Sequence, residues 1–214
     1  MIFPVTENIA KSQRHISFYL ACGMPEATPI IFLHGWWSIA QHHPERCHGV
    51  VSLCVPYIPE GFAPETIIPL SDRKTYPEDR FPAAQWDYQL FYRDNFVEAC
   101  AGFESNIQAT VRALFRAGDP KGKGKPARTA FIRASRGWFG EANTAPDVPR
   151  DSTVLTEEDE HRYVASLKRN GFSGPDRWYM NSEVNADFAR RATSNWRLTM
   201  PVLFLHVRLR VRND

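Results

Sequence analysis

The chain has 214 residues, 43% of them hydrophobic and 23% charged, and a formal net charge of +2. This composition is that of an ordinary globular protein of one domain, or one domain with an insertion, and it excludes fibrous and disordered chains. Acidic and basic residues are mixed along the sequence, so no basic stripe suggests a nucleic-acid partner, and small molecules are the expected ligands.

The sequence also bounds the compartment. No apolar run approaches the roughly 20 residues of a membrane span, and the N-terminal MIFPV is too short for the core of a signal peptide. Cys22, Cys47, Cys54 and Cys100 are irregularly spaced and mostly have apolar neighbours, which fits reduced, partly buried thiols better than a disulfide framework. We therefore expect a cytoplasmic protein without a membrane span.

The first elements along the chain predict part of an α/β sheet. Residues Ile16 to Ala21 and Pro29 to Leu33 form two β-rich or apolar runs, which suits neighbouring strands. Ser38 to Cys47 predicts a short helix, and His48 to Val55 predicts a buried strand of the parallel type. His34-Gly35 ends the second strand, at the edge of an α/β sheet where ligands bind.

The middle of the chain predicts a large helical insertion. A proline-rich stretch from Pro56 to Pro82 predicts a loop that leaves the sheet. Helices are predicted over Asn106 to Ala117, from an N-cap at Thr156 to Asn170-Gly171, and from Pro175 to about Ala192. Met200 to Leu205 then returns to the pattern of a buried strand.

This order of elements and several strings of sequence resemble the soluble, fungal-type epoxide hydrolases of the α/β-hydrolase superfamily. The strings are HGW at His34 to Trp36, HHPERCHGVVSL at His42 to Leu53, WDYQLFY at Trp86 to Tyr92, TVRALFR at Thr110 to Arg116, GKGKP at Gly122 to Pro126, GWFG at Gly137 to Gly140, LTEEDEHRYV at Leu155 to Val164, NGFSGPDRWYMN at Asn170 to Asn181 and MPVLFL at Met200 to Leu205. The resemblance covers nearly all of residues 14 to 205. It implies part of the parallel sheet in residues 1–55, without the region of the nucleophile elbow. A mostly helical lid, or cap domain, follows in residues 56–198, and the last core strand with an aberrant tail occupies residues 199–214.

The resemblance also implies a chemistry. In the family, an elbow aspartate attacks an epoxide carbon, and a histidine-activated water hydrolyses the ester to a vicinal diol while two lid tyrosines donate hydrogen bonds to the epoxide oxygen. By motif, those tyrosines correspond to Tyr88 and Tyr179, while Trp86 and Gln89 line the pocket. The turn of His34, Gly35 and Trp36 corresponds to the oxyanion site, with the Trp36 N–H as its donor. The implied ligand is a small apolar epoxide or diol, and no metal or other cofactor is implied.

The sequence departs from the family at the chemistry. HGWW replaces the HG-x-P turn, and only 14 residues, Gly35 to His48, separate two strands. Roughly a dozen residues are needed for a single parallel crossover, so the intervening strands and the elbow do not fit. Neither G-x-D-x-G nor G-x-S-x-G occurs, and the tail after Leu205 has no counterpart of the catalytic acid or histidine. We therefore interpret the chain as internally deleted and C-terminally truncated, a hydrolase by resemblance and a pseudoenzyme in activity.

Other candidate sites have structural explanations. Ser38 is a poor nucleophile, because an elbow needs small residues two positions away and Trp36 occupies one of them. The cluster of His42, His43, Cys47 and His48 matches family sequence that binds no metal. Lys121 to Lys125 lacks the strand, G-K-S/T and helix of a phosphate loop, which indicates a solvated lid loop. His206 receives no role, and Tyr88 and Tyr179 could also serve only as lid packing.

Three hypotheses stay open at this stage. The chain is a hydrolase relative that has lost its triad, or a non-catalytic protein whose lid binds epoxides or diols or pairs with an intact paralogue. Alternatively, it is the product of an incorrect or alternative transcript, joined at about Trp36 to Ser38 and frame-shifted after Leu205, which the cDNA would reveal. Were the chain active, ester or haloalkane hydrolysis would be the second choice, although the paired tyrosines argue against it. Loss of central strands also predicts poor solubility.

Overall fold

A computed structural model describes residues 6–11, 13, 16–22, 24, 26, 38–192 and 197–205. The chain divides into two compact units, Met1–Trp36 and Trp37–Asp214. The predicted strand at Pro29 to Leu33 lies outside the described residues. None of the helices in the described ranges is long and apolar enough to cross a membrane.

The first unit contains an antiparallel strand pair. Strand β1 (Thr6–Lys11) pairs with β2 (Ile16–Ala21), in a register that places Thr6 opposite Ala21 and Lys11 opposite Ile16. The prediction of a strand at Ile16 to Ala21 is confirmed. Strand β1 was not predicted, because its sequence TENIAK lacks the alternation or the aliphatic run that marks a half-buried strand.

The second unit begins with the helix and the parallel strands that the sequence predicts. Helix α1 (Ser38–His42) is followed by a 3₁₀ turn at Pro44–Arg46 and then by β3 (Val50–Leu53). Strand β3 pairs in parallel with β4 (Val202–Leu205), so the two strands meet across the whole helical insertion. The described part of the chain is therefore a mixture of helices and a small parallel sheet, as in a partial α/β-hydrolase fold.

The expected burial of these two strands is wrong. Val51 and Leu53 are both 63% exposed, and all four residues of β4 are exposed. Apolar runs are typical of parallel strands because both faces of such a sheet are usually covered. In the described part of the chain β3 and β4 pair only with each other, and their apolar side chains keep contact with solvent.

Helices dominate the region between β3 and β4. They are α2 (Pro64–Ile67), α3 (Asp87–Asp94), α4 (Phe96–Glu104), α5 (Ile107–Leu114), α6 (Glu157–Asn170), α7 (Ser173–Asp176) and α8 (Ser182–Arg190). The helix predicted over Asn106 to Ala117 is shorter than expected and starts from an Asn106 cap whose side chain accepts a hydrogen bond from the Ala109 N–H. The proline-rich stretch is mostly loop, as predicted, but it includes α2.

Helix α6 shows why local sequence signals succeeded. Thr156 caps the helix by accepting a hydrogen bond from the Asp159 N–H at 3.1 Å, and Asp159 Oδ2 accepts one from the Thr156 N–H at 3.2 Å. This reciprocal capping box satisfies N–H groups that have no partner inside the helix. The helix ends at Gly171, whose φ of 68° favours glycine.

The helix predicted from Pro175 to about Ala192 is not continuous. The structure divides it into α7, a 3₁₀ turn at Arg177–Asn181, and α8. Because a 3₁₀ turn has three residues per turn rather than 3.6, the side chains in it face differently from those of an unbroken α-helix. Tyr179 lies in the middle of this turn.

An aromatic core holds the helical region together. Its buried members are Phe91, Tyr92, Ala99, Phe103, Ile132 and Phe172. Partly buried residues pack against them, namely Tyr88, Ile107, Trp138, Phe139, Leu167 and Tyr179. The lid tyrosines that the sequence singles out therefore lie at the edge of the core rather than on a detached surface.

Candidate functional site

Helix α3 positions the first lid tyrosine. Asp87, the first residue of α3, is buried and accepts hydrogen bonds from the backbone N–H and the Nε of Arg133, at 2.8 and 2.6 Å. This double contact ties the start of the helix to the loop segment before Trp138. Tyr88 follows, and Tyr92 lies four residues later, so both project from one face of the helix.

The 3₁₀ turn brings Tyr179 against Tyr88. The two ring centroids are 5.3 Å apart and the rings are nearly perpendicular, at 83°. The Tyr179 hydroxyl donates a hydrogen bond to the Tyr88 oxygen. Residues separated by about 90 positions in sequence therefore meet, as the resemblance implied, although their catalytic role stays a prediction.

Both hydroxyls are neutral donors near pH 7. Burial is the main cause that raises the pKa of Tyr88, and burial with the nearby Tyr88 raises the pKa of Tyr179 to about 12. Gln89 is buried and its Nε2 lies 3.4 Å from the Tyr88 hydroxyl oxygen, to which it donates. Tyr88 thus accepts two hydrogen bonds, which leaves its own proton available for a further acceptor.

Two tryptophans flank Tyr88. Trp86 lies in a 3₁₀ turn at Ala84–Trp86, with its ring 6.5 Å from that of Tyr88, and the ring of Trp138 lies 5.8 Å away. Within the described residues, both indole N–H groups are buried and lack a hydrogen-bond partner. Trp86 therefore lies beside Tyr88, as the resemblance implied. Trp138 was missed as a site residue, although it lies in the matched string GWFG.

A buried polar group behind Tyr179 was also missed. Tyr92 stacks on Tyr179, with parallel rings at 5.0 Å, and donates a hydrogen bond to the carboxylate of Asp176. The thiol of Cys100 donates to Asp176 Oδ2 at 3.8 Å. Burial raises the pKa of Asp176 to about 6 and that of Cys100 to about 11. The spacings carried a signal, because Tyr92 is four residues after Tyr88 and Asp176 is three before Tyr179.

The remaining candidates fall into two groups. His34, Gly35, Trp36 and His206 lie outside the described residues. Ser38 is the first residue of α1, and the structure does not describe its side chain. No account of an oxyanion site therefore comes from these positions.

The histidine and cysteine cluster makes ordinary protein contacts. The His42 ring stacks on Phe188 at 3.9 Å, and His43 Nδ1 lies 3.6 Å from Glu45 Oε1 on the surface. Burial, with the neighbouring His43, lowers the pKa of His42. Among the described residues, no group of three or more His, Cys, Asp or Glu side chains is arranged to hold a metal ion.

Two open grooves lie away from the tyrosine pair. One, of about 590 Å³, is lined by residues of α5 and α6 that surround Glu160, and the other, of about 600 Å³, is lined by residues that include Phe91, Arg133 and Asn143. Tyr88 and Tyr179 line neither groove. The Lys121 to Lys125 segment begins in a 3₁₀ turn at Pro120–Gly122 and is exposed to solvent.

Comparison with known proteins relates this site to one family. No family profile matches the chain. The chain is 28% identical to Bifunctional epoxide hydrolase 2 of Rattus norvegicus over 195 residues, which cover 89% of this chain and 32% of the rat protein. The corresponding protein of Mus musculus is 30% identical over 177 residues, 79% of this chain and 28% of that protein. Epoxide hydrolase srdG of Neurospora crassa is 25% identical over 205 residues, 90% and 55% of the two chains.

A solved structure agrees with these relatives. The crystal structure of Epoxide Hydrolase A from Mycobacterium thermoresistibile superposes with a TM-score of 0.53 and 26% identity, covering 79% of this chain and 49% of that one. The chain spans between 28% and 55% of the length of the relatives described above. The chain is therefore a relative of the epoxide hydrolases, with part of the α/β-hydrolase fold.

Proposed function

We propose that the chain binds the oxygen of a small apolar epoxide, or of the matching diol, through Tyr88 and Tyr179 and does not hydrolyse it. The observation that carries the proposal is the hydrogen-bonded hydroxyl pair, whose rings meet at 5.3 Å. Two neutral phenol groups that converge on one point suit a ligand oxygen that accepts hydrogen bonds and has no proton to donate. An epoxide oxygen has that character.

Binding would rearrange only the two protons. Tyr179 directs its proton at the Tyr88 oxygen in the free chain, and the ligand oxygen would take the place of that acceptor. Tyr88 would add its own proton, while Gln89 continues to donate to the Tyr88 oxygen. The aromatic rings of Trp86 and Trp138 would contact the apolar part of the ligand.

The absence of turnover rests on the sequence. Opening the ring requires a nucleophile that forms a bond to an epoxide carbon while the carbon–oxygen bond breaks and a tyrosine protonates the oxygen. The 14 residues from Gly35 to His48 leave no room for the elbow that carries this nucleophile, and the elbow motifs are missing. Tyrosine donors alone polarise the epoxide and leave it intact.

The proposal includes the arrangement of the chain. Residues 56–198 form the cap that carries the tyrosines, while residues 1–55 and 199–214 belong to the core, with the turn of His34, Gly35 and Trp36 on its ligand side. No cofactor takes part in this binding. The cytoplasmic location stays a prediction, and the oligomeric state is open.

The test is a titration of the purified chain with an aryl epoxide and its diol, followed by tryptophan fluorescence and calorimetry. We expect saturable binding that Tyr88→Phe and Tyr179→Phe each weaken by about 2- to 13-fold, the equivalent of one hydrogen bond worth about 0.5–1.5 kcal/mol. Phenylalanine keeps the ring and its packing, so these variants remove only the hydroxyl.

Tyr163→Phe is the matched control. Tyr163 lies on α6, is 43% exposed, and packs its ring on Phe115 at 4.7 Å, away from the tyrosine pair. We expect this variant to bind like the unchanged chain. Affinity that is unaffected by both Tyr88→Phe and Tyr179→Phe would contradict the proposed site, and production of diol that depends on these two tyrosines would contradict the proposed lack of turnover.

A further inference from the structure

The ring of Tyr179 is held from behind by Tyr92. The two rings are parallel within 1° at 5.0 Å between centroids, and Tyr92 is only 3% exposed. Offset stacking of this kind contributes about 0.5–1.5 kcal/mol beyond the burial of the rings. The orientation of Tyr92 therefore influences where the Tyr179 hydroxyl lies.

A buried tyrosine hydroxyl needs a hydrogen-bond acceptor, and Asp176 supplies it for Tyr92. Asp176 ends α7, is 5% exposed, and directly precedes the 3₁₀ turn that carries Tyr179. One carboxylate thus fixes Tyr92 from the side of α7, while α3 holds the backbone of Tyr92. Asp176 reaches Tyr179 twice, through the chain and through the stacked ring.

The surroundings of Asp176 are unusual for a buried charge. From α4, the Cys100 thiol donates to it at 3.8 Å and the charge of Glu104 repels it; Tyr92 donates from α3, and Arg177 and Tyr179 follow it along the chain. Among the described residues, no lysine or arginine pairs with its carboxylate. An apolar residue would pack there at less cost, because a buried charge without a counter-ion is destabilising. A structural role alone does not account for this carboxylate.

We propose, on the basis of the function proposed above, that Asp176 is a positioning residue that holds Tyr179 in its ligand-binding orientation through the hydroxyl and stacked ring of Tyr92. When the carboxylate is ionised, it accepts a strong charge-assisted hydrogen bond from Tyr92. When it is protonated, the acceptor is weaker, or the carboxyl donates to the Tyr92 oxygen and reverses the bond. The tyrosine pair therefore changes its geometry with pH.

The direction of the pH effect follows from the burial of Asp176. Because burial raises its pKa to about 6, the carboxylate is ionised at neutral pH and gains a proton in mildly acidic solution. Affinity for an aryl epoxide should fall about fivefold between about pH 7.5 and about pH 5, as the charge-assisted hydrogen bond becomes a neutral one. The groove residues around Glu160 have no part in this change.

The test reads Tyr179 directly by NMR of ring-labelled tyrosine in the full-length chain, with and without an aryl epoxide. We expect the Tyr179 ring signals to shift with a midpoint near pH 6, and we expect Asp176→Asn and Tyr92→Phe each to abolish that shift. Glu160→Gln is the matched control, since Glu160 is an equally buried carboxylate that pairs with Arg112 at 2.8 Å elsewhere in the cap. In this variant the Tyr179 shift should persist.

The two readouts separate the proposals. A Tyr179 shift that depends on Asp176 without any binding of the epoxide would support the positioning role and refute the proposed function. Binding that depends on Tyr88 and Tyr179 but does not vary with pH, together with a Tyr179 signal that titrates identically in Asp176→Asn, would refute the positioning role alone. Loss of the shift in Glu160→Gln would also overturn it.

Discussion

Asp176→Asn should remove a component of stability that depends on pH. Burial raises the pKa of Asp176 from 3.8 to about 6 in the folded chain. A carboxyl whose folded pKa exceeds its unfolded pKa stabilises the fold when protonated, so this contribution is complete below about pH 3.8 and is lost as the pH rises through about 6. At 1.36 kcal/mol per unit, the full contribution is about 3 kcal/mol, of which about 2 kcal/mol is lost between about pH 4.5 and about pH 7.5.

The assay is urea unfolding of the two proteins at both pH values. We expect the free energy of unfolding of Asp176→Asn, minus that of the unchanged chain, to increase by about 2 kcal/mol from about pH 4.5 to about pH 7.5. The hydrogen bonds that lower the pKa of Asp151 and Asp159 are present in both proteins, so their contributions cancel. The comparison therefore isolates the buried carboxyl.

Glu160→Gln provides a control with the opposite sign. The Gln108 hydrogen bond is the largest cause that lowers the pKa of Glu160, with Arg112 and Arg150 acting in the same direction. Glu160 thus stabilises the fold when ionised, and the variant should lose more stability at neutral pH than in acid. A difference between the unchanged chain and Asp176→Asn that stays constant with pH would refute the reasoning on Asp176.

Two further predictions concern the framework of the site. Gly171→Ala should lower the free energy of unfolding by about 1–3 kcal/mol, because its φ is 68° and a Cβ there would lie 2.6 Å from Glu104 Oε1, whereas Gly118→Ala, with open space around it, should change it by less than about 0.5 kcal/mol; equal effects in urea unfolding would contradict this. Lysine at Leu53 or Leu203, which are 63% and 53% exposed on the small parallel sheet, should reduce self-association in sedimentation, while Leu70→Lys, at a 67% exposed position outside the sheet, should not. Unchanged association in the sheet variants would mean that another surface causes it.

Local signals explain what the sequence could predict of the fold. The Thr156 cap depends on residues three positions apart, and the strand at Ile16 to Ala21 depends on its own composition, so neighbouring residues sufficed. The break between α7 and α8 was missed because Pro175 is also compatible with the start of one continuous helix. The burial of β3 and β4 could not be read from their apolar runs, because burial depends on what covers the sheet.

The site was predictable to a similar extent. Motif resemblance identified Tyr88 and Tyr179, and the structure brings their rings together. It did not identify Tyr92 or Asp176, because their importance comes from a stack and a buried hydrogen bond between α3 and the end of α7. Contacts between distant segments of this kind are visible only once the chain is folded.

The most direct measurement of the central claim is diol formation from an aryl epoxide that is bound to the full-length chain. With the epoxide saturating the protein, the account predicts diol at the rate of the protein-free solution, and no difference between the unchanged chain and a variant that carries both Tyr88→Phe and Tyr179→Phe. Diol released faster than in protein-free solution, and lost in that double variant, would show that a nucleophile exists in this chain and that the protein is a working hydrolase.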